Sequence, residues 1–176
     1  MKTQLFKSCL FASAIFLFSC QPQPVGLSDS QKAAITDSVR TVLRSILTSS
    51  DKLDFPAAFQ FYTNDTDARY TENGVLFPSL DAMKKSYAEF APIIESLQNN
   101  VDAWDVVVLG PYVVSFTLPI HFSMKTKGRP LYKGQYVWSG VIQRRGGNWK
   151  MVQTHESWVN FDHVMAAIMP AHARLN

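Results

Sequence analysis

The periodicity of the chain changes once, near Val101, and that change limits the folds open to it. From there apolar residues recur at every second position in four runs: Val101 to Leu109, Tyr112 to Met124, Leu131 to Arg144 and Asn148 to Trp158. Alternation over that length marks strands with one buried face. Gly110-Pro111, Lys125 to Pro130 and Gly146-Gly147 separate the runs. Consecutive strands joined by short turns make an antiparallel meander.

Before Val101 the spacing is helical. Ser28 and Gln31 form a capping box ahead of Ile35, Val39, Val42, Leu43, Ile46 and Leu47, so a helix is expected over 28–50. Asp54 caps a second, short helix carrying Phe59 and Tyr62. Two extended pieces, Ala68 to Thr71 and Val75 to Phe77, flank the turn Glu72-Asn73-Gly74. Ser79 opens a third helix bearing Leu80, Met83, Tyr87, Phe90, Ile94 and Leu97, which Pro92 should kink or end early. Phe161, Val164, Met165 and Ile168 suggest a closing helix. Helices followed by a long-stranded antiparallel sheet give an α+β class with helices on one sheet face.

The N-terminus is of another kind. Lys2 and Lys7 precede an apolar run from Cys9 to Phe18, too short for a membrane span of about 20 residues and suited to an export signal. Leu17-Phe18-Ser19-Cys20 resembles a bacterial lipobox, which implies cleavage before Cys20 and acylation of its thiol. Cys9 would leave with the signal, so the only cysteine kept would be the anchor. The expected organisation is a signal peptide over 1–19, a tether over 20–27 and one domain over 28–176. The expected address is the cell envelope, lipid-anchored through Cys20. The outer membrane is favoured because no aspartate follows the cysteine. Without Lys2 and Lys7, 15 of the 17 basic side chains remain against 14 acidic, with no basic run that would suit nucleic acid.

Strand parity sorts side chains into faces. Tyr112, Val114, Phe116, Leu118, Ile120, Phe122 and Met124 share an apolar side of the second long strand. On the last strand Trp149, Met151, Gln153, His155 and Ser157 share a side, which places Glu156 on the other. A β-bulge would invert that assignment.

The run Gly147-Asn148-Trp149-Lys150-Met151-Val152-Gln153-Thr154-His155-Glu156-Ser157 resembles the last strand of the SnoaL-like branch of the nuclear-transport-factor-2-like fold. Gly140 to Arg145 resembles its penultimate strand, and the likeness runs over about 28–158. The resemblance implies a cone: a curved sheet wrapped by helices around an apolar cavity open at one end. It also implies dimers through the outer sheet face. It does not supply a function, since the fold carries isomerases, cyclases, hydrolases and plain binding domains.

On this reading Tyr62, Tyr70, Tyr136, Trp138, Gln153 and His155 are the expected ligand-binding residues. His155 is the candidate general acid or base, because a histidine titrates near neutral pH. The four histidines show no metal spacing, and neither metal nor cofactor is expected. Three functions fit: an envelope protein binding a small apolar molecule; an isomerase, cyclase or hydrolase using His155; and a non-catalytic dimeric interaction module. The last would use an outer face of Val113, Ser115, Thr117, Val137, Ser139, Val141, Val152, Thr154 and Trp158.

Overall fold

The structure, a computed structural model, describes residues 26–169. The expected signal peptide, Cys20 and most of the tether lie outside them, as does His172.

The first helix, α1 (Asp29–Asp51), starts where its capping box places it: Ser28 Oγ accepts from Gln31 N, and the Gln31 side chain accepts from Ser28 N. Val39, Leu43 and Ile46 form its buried stripe. Helix α2 (Phe55–Phe59) is capped by Asp54, whose carboxylate accepts from Ala57 N. Strands β1 (Arg69–Glu72) and β2 (Val75–Phe77) form a hairpin whose turn residues, Asn73 and Gly74, both have positive φ.

Helix α3 (Leu80–Phe90) ends early, as Pro92 requires, in a single 3₁₀ turn over Ala91–Ile93. Beyond that turn the fold departs from the expected helix. Ile94 and Leu97 belong to a strand, β3 (Ile94–Val101). The expected strand from Val101 to Leu109 is broken: after Asp102-Ala103-Trp104 the chain re-enters the sheet as β4 (Asp105–Gly110). Both segments pair with β5 (Val113–Thr126), one after the other along the same edge.

The meander β5–β6 (Tyr132–Arg145)–β7 (Asn148–Trp158) forms as expected. Its far edge is completed by β1, which runs parallel to β7. The sheet order is β2-β1-β7-β6-β5-β3. Helix α4 (Phe161–Ile168) closes the end of the sheet, burying Val164 and Ile168. Along β5 every second residue from Val114 to Thr126 is buried, and these side chains meet α1, α2 and α3 to form one core.

Strand β7 carries the irregularity that decides the site. Its register against β6 shifts between Val141 and Ile142, which pair with Gln153 and Met151. Val152 is the extra residue of a β-bulge, and beyond it the alternation inverts. Met151 and Thr154 are buried, while Gln153 and His155 are exposed. Gly140 makes the bulge possible. A Cβ at that position would stand 2.3 Å from the Gln153 carbonyl oxygen and 2.9 Å from the Phe116 ring.

Candidate functional site

The concave face of the sheet and the helices enclose a cavity of about 560 Å³. Its walls come from the C-terminal half of α1 (Ile46, Ser50), from α2 with Tyr62, from α3 (Met83, Tyr87) and from β3 (Leu97, Asn99). Strands β5, β6 and β7 add Phe122, Tyr136, Trp138, Glu156 and Trp158, and α4 adds Phe161 and Met165 at the rim. Among the described lining residues there is no Lys, Arg or His. Three carboxyls line it: Glu89 is exposed at the mouth, and Glu72 and Glu156 lie deeper, with three tyrosines.

Glu72 ends β1 and is the register partner of Glu156 on β7. Paired residues of neighbouring strands project to the same side, and adjacent strands lie only about 4.8 Å apart. Two carboxyls therefore share one corner of an aromatic chamber. Burial pushes the Glu156 carboxyl up to about 8, and the neighbouring Glu72 adds to the rise. Trp158 Nε1 donates to Glu156 Oε2 at 3.3 Å and offsets part of it. Burial also raises Glu72, opposed by the Tyr87 hydroxyl, which donates to Glu72 Oε2 at 3.2 Å. Like charges this close disfavour double ionisation. Glu156, raised to about 8, is protonated at neutral pH, while the Tyr87 hydrogen bond favours the charged form of Glu72 against the burial that raises it.

The tyrosines differ in what their hydroxyls do. Tyr136 donates to Asn99 Oδ1 at 2.9 Å. Asn99 in turn donates to Asp51 Oδ1 twice, through its side-chain nitrogen at 2.7 Å and its backbone nitrogen at 2.9 Å. Tyr87 is committed to Glu72. The Tyr62 hydroxyl has no hydrogen-bond partner among the described residues and opens on the cavity. Burial, then the nearby Glu156, holds Tyr62, Tyr87 and Tyr136 well above the ordinary phenol value, so all three are neutral hydroxyls.

Of the residues expected from the sequence, Tyr62, Tyr136 and Trp138 line the cavity. Trp138 is 2 % exposed, and its indole N–H donates to Thr154 Oγ1 at 2.5 Å. Tyr70 does not reach the cavity. It is 1 % exposed, and its hydroxyl is used up by Thr63 O, Met151 O and Thr63 N, which fastens β1 beneath the end of α2.

Gln153 and His155 are corrections. The bulge at Val152 turns both to the outer face, where they are exposed, and brings Glu156 inward instead. His155 cannot serve as acid or base in the cone. The same inversion removes Thr154 and Trp158 from the outer face, and Val152 is itself buried. Elsewhere His121 is exposed and pairs with Asp102 at 2.6 Å, while His163 lies 3.4 Å from the Tyr132 hydroxyl. Among the described residues no three His, Cys, Asp or Glu side chains come together as a metal site, and no helix is long and apolar enough to cross a membrane.

Residues 39–161 match the family model of the SnoaL-like domain. The chain belongs to that family. The SnoaL-like match spans the cavity from α1 to the first residue of α4, and solved structures repeat the architecture. A candidate scytalone dehydratase from Novosphingobium aromaticivorans superposes with a TM-score of 0.68 at 9 % identity, covering 75 % of this chain and 89 % of its own. A hexachlorocyclohexane dehydrochlorinase from Novosphingobium barchaimii gives 0.64 at 14 %, covering 74 % and 90 %. A nuclear-transport-factor-2-like superfamily protein from Salmonella enterica gives 0.65 at 13 %, covering 82 % and 99 %. At these identities the likeness is one of fold. No curated protein matches the sequence.

Proposed function

We propose that this SnoaL-like domain is a proton-transfer enzyme of the lyase or isomerase type, acting on a small apolar molecule held in the cone. The observation that carries the reading is the Glu72–Glu156 pair: two carboxyls on one cavity wall, with Glu156 raised to about 8. Two neighbouring carboxyls that share a proton divide into an acid and a base. Glu72 is the base and Glu156 the acid, with the Tyr62 hydroxyl free to donate to a substrate oxygen.

For loss of water from an apolar alcohol the balance is simple. Glu72 takes the proton from the carbon next to the carbinol carbon, the C–O bond breaks, and Glu156 delivers its proton to the departing hydroxyl. An alkene and water form, and the pair still holds one proton, now on Glu72. The dehydratase and dehydrochlorinase names of the two Novosphingobium structures describe eliminations, which supports this class of chemistry.

The domain is proposed to sit in the cell envelope on a lipid at Cys20, on the support of the Leu17-Phe18-Ser19-Cys20 run. Fatty-acid labelling of the full chain tests this, and label persisting in Cys20→Ser rejects it.

The chemistry is tested with the full chain in detergent, using α-tetralone in deuterated water. Enzyme-dependent gain of deuterium at the carbon next to the carbonyl is expected, lost in Glu72→Gln and in Glu156→Gln. Exchange at the same rate in both variants rejects the assignment.

A further inference from the structure

We infer that the Asp51–Asn99–Tyr136 chain makes the cavity selective for a ligand that carries a hydrogen-bond donor, an apolar alcohol over its ether, with Asp51 as a positioning residue. The inference rests on the cavity being a substrate site, and it names the group that the site reads.

Counting donors and acceptors fixes the direction of every hydrogen bond in this chain. Asp51 sits at the end of α1, and one of its carboxylate oxygens receives both Asn99 Nδ2 at 2.7 Å and Asn99 N at 2.9 Å. A carboxylate only accepts. The amide nitrogen of Asn99 must therefore face Asp51, which turns Asn99 Oδ1 toward Tyr136. A carbonyl oxygen also only accepts, so Tyr136 must donate to it, as the 2.9 Å contact shows. The Tyr136 hydroxyl has one hydrogen, and it is spent. Toward the cavity its oxygen can only accept.

Two further acceptors point the same way. Tyr87 has given its hydrogen to Glu72, so its oxygen and the Glu72 carboxyl oxygen that receives it are acceptors on the same cavity wall. A ligand that pairs with this wall brings an O–H or N–H; a ketone is held instead through Glu156 and Tyr62 and leaves the wall unpaired. A hydroxyl satisfies it and still presents its own lone pairs to Glu156 or to Tyr62. An ether or ketone sets lone pair against lone pair at Tyr136 and leaves that acceptor unpaired inside an apolar chamber.

Asp51 touches no ligand in this scheme. It fixes which way Asn99 is turned, and through Asn99 the polarity of Tyr136. In Asp51→Asn the new amide can donate or accept, so Asn99 is free to turn over and Tyr136 to swing its hydrogen into the cavity.

The experiment measures binding of α-tetralol and of its methyl ether to the full chain in detergent, read from the fluorescence of the cavity tryptophans Trp138 and Trp158. The wild type is expected to prefer the alcohol about tenfold, the worth of one net hydrogen bond. Asp51→Asn, folded by near-ultraviolet circular dichroism, is expected to bring that ratio close to one. Tyr136→Phe, which removes the acceptor without using Asp51, is expected to do the same. A general loosening of the fold would weaken both ligands and leave their ratio unchanged. Equal binding of alcohol and ether by the wild type, binding of neither, or a ratio unmoved in both variants overturns the inference. Deuterium exchange that persists alongside equal binding leaves the Glu72–Glu156 chemistry standing, and a tenfold preference without exchange does the reverse.

Discussion

Glu72 and Glu156 face each other across the parallel pairing of β1 and β7, and both open on the same aromatic chamber. Each strand is short or irregular where it supplies its carboxyl: Glu72 is the last residue of a four-residue strand, and Glu156 lies four residues beyond a bulge. Burying two acids side by side has a cost, and it shows in how stability responds to pH.

The Glu156 carboxyl is raised from an ordinary 4.5 to about 8. Below 4.5 it is protonated in the folded and the unfolded chain alike, and stability is undiminished. Between 4.5 and about 8 the unfolded chain gives up this proton while the folded chain keeps it. Stability therefore falls as pH rises, by up to about 1.4 kcal/mol per pH unit. Above 8 the loss is complete. Glu72 is shifted in the same direction and adds to the slope. Urea denaturation at pH 5, 7 and 9 should show this decline, and Glu156→Gln should flatten most of it while being more stable than the wild type at pH 9. A wild type whose stability rises over that range refutes the protonated-acid assignment.

His155 is exposed on the outer face of β7. His155→Ala should change stability by no more than about 0.5 kcal/mol, the usual range for a surface substitution. It should leave tetralone exchange at the wild-type rate. A large loss of exchange would mean that the bulge at Val152 is absent in solution.

Gly140 stands where the bulged backbone comes closest. Gly140→Ala places a methyl group against the Gln153 carbonyl and the Phe116 ring, with rigid backbone on one side. Overpacking of this kind costs about 1–3 kcal/mol. Thermal unfolding should register it as a lowered midpoint, and because the bulge aims Glu156, exchange activity should fall further than the folded fraction does. An unchanged midpoint would show that β6 and β7 separate easily at this point.

Arg145 ties the loop ahead of β1 to the end of β6. Its guanidinium donates to Asp65 at 2.5 Å and to Asp67 at 3.1 and 2.7 Å, and Gln143 braces it. Arg145→Ala should speed amide hydrogen exchange over 65–69 with little change elsewhere, and 1 M salt should reproduce part of the effect in the wild type by screening. Protection unaltered in that segment would leave the Tyr70 anchor as the sufficient restraint.

How much of this could be read from the sequence depends on what kind of interaction each feature needs. The capping box at Ser28 and Gln31 and the Asp54 cap are local and appear in place. The apolar parity of β5 survives along its whole length because its pairing with β6 runs without a register shift. Strand β3 escaped because Ile94 and Leu97 fit a helical spacing as well as a strand, and the edge of β5 decides between them. The bulge at Val152 has no local marker in β7 itself. Its trace is a glycine on the neighbouring strand, Gly140, and without it the parity argument sends His155 inward and Glu156 outward. The pairing of Glu72 with Glu156 is parallel and long-range, and neither residue carries a signal pointing to the other.

That long-range pairing also fixes when the site comes into being. Glu72 leaves the ribosome well before Glu156, and the two meet only after the meander has folded and β1 has docked on its last strand, a closure made slow by the length of chain it spans. A chain halted short of β7 keeps its helices' local sequence yet has no acid–base pair. The unusual proton affinity of Glu156 is thus a report that β1 has docked on β7.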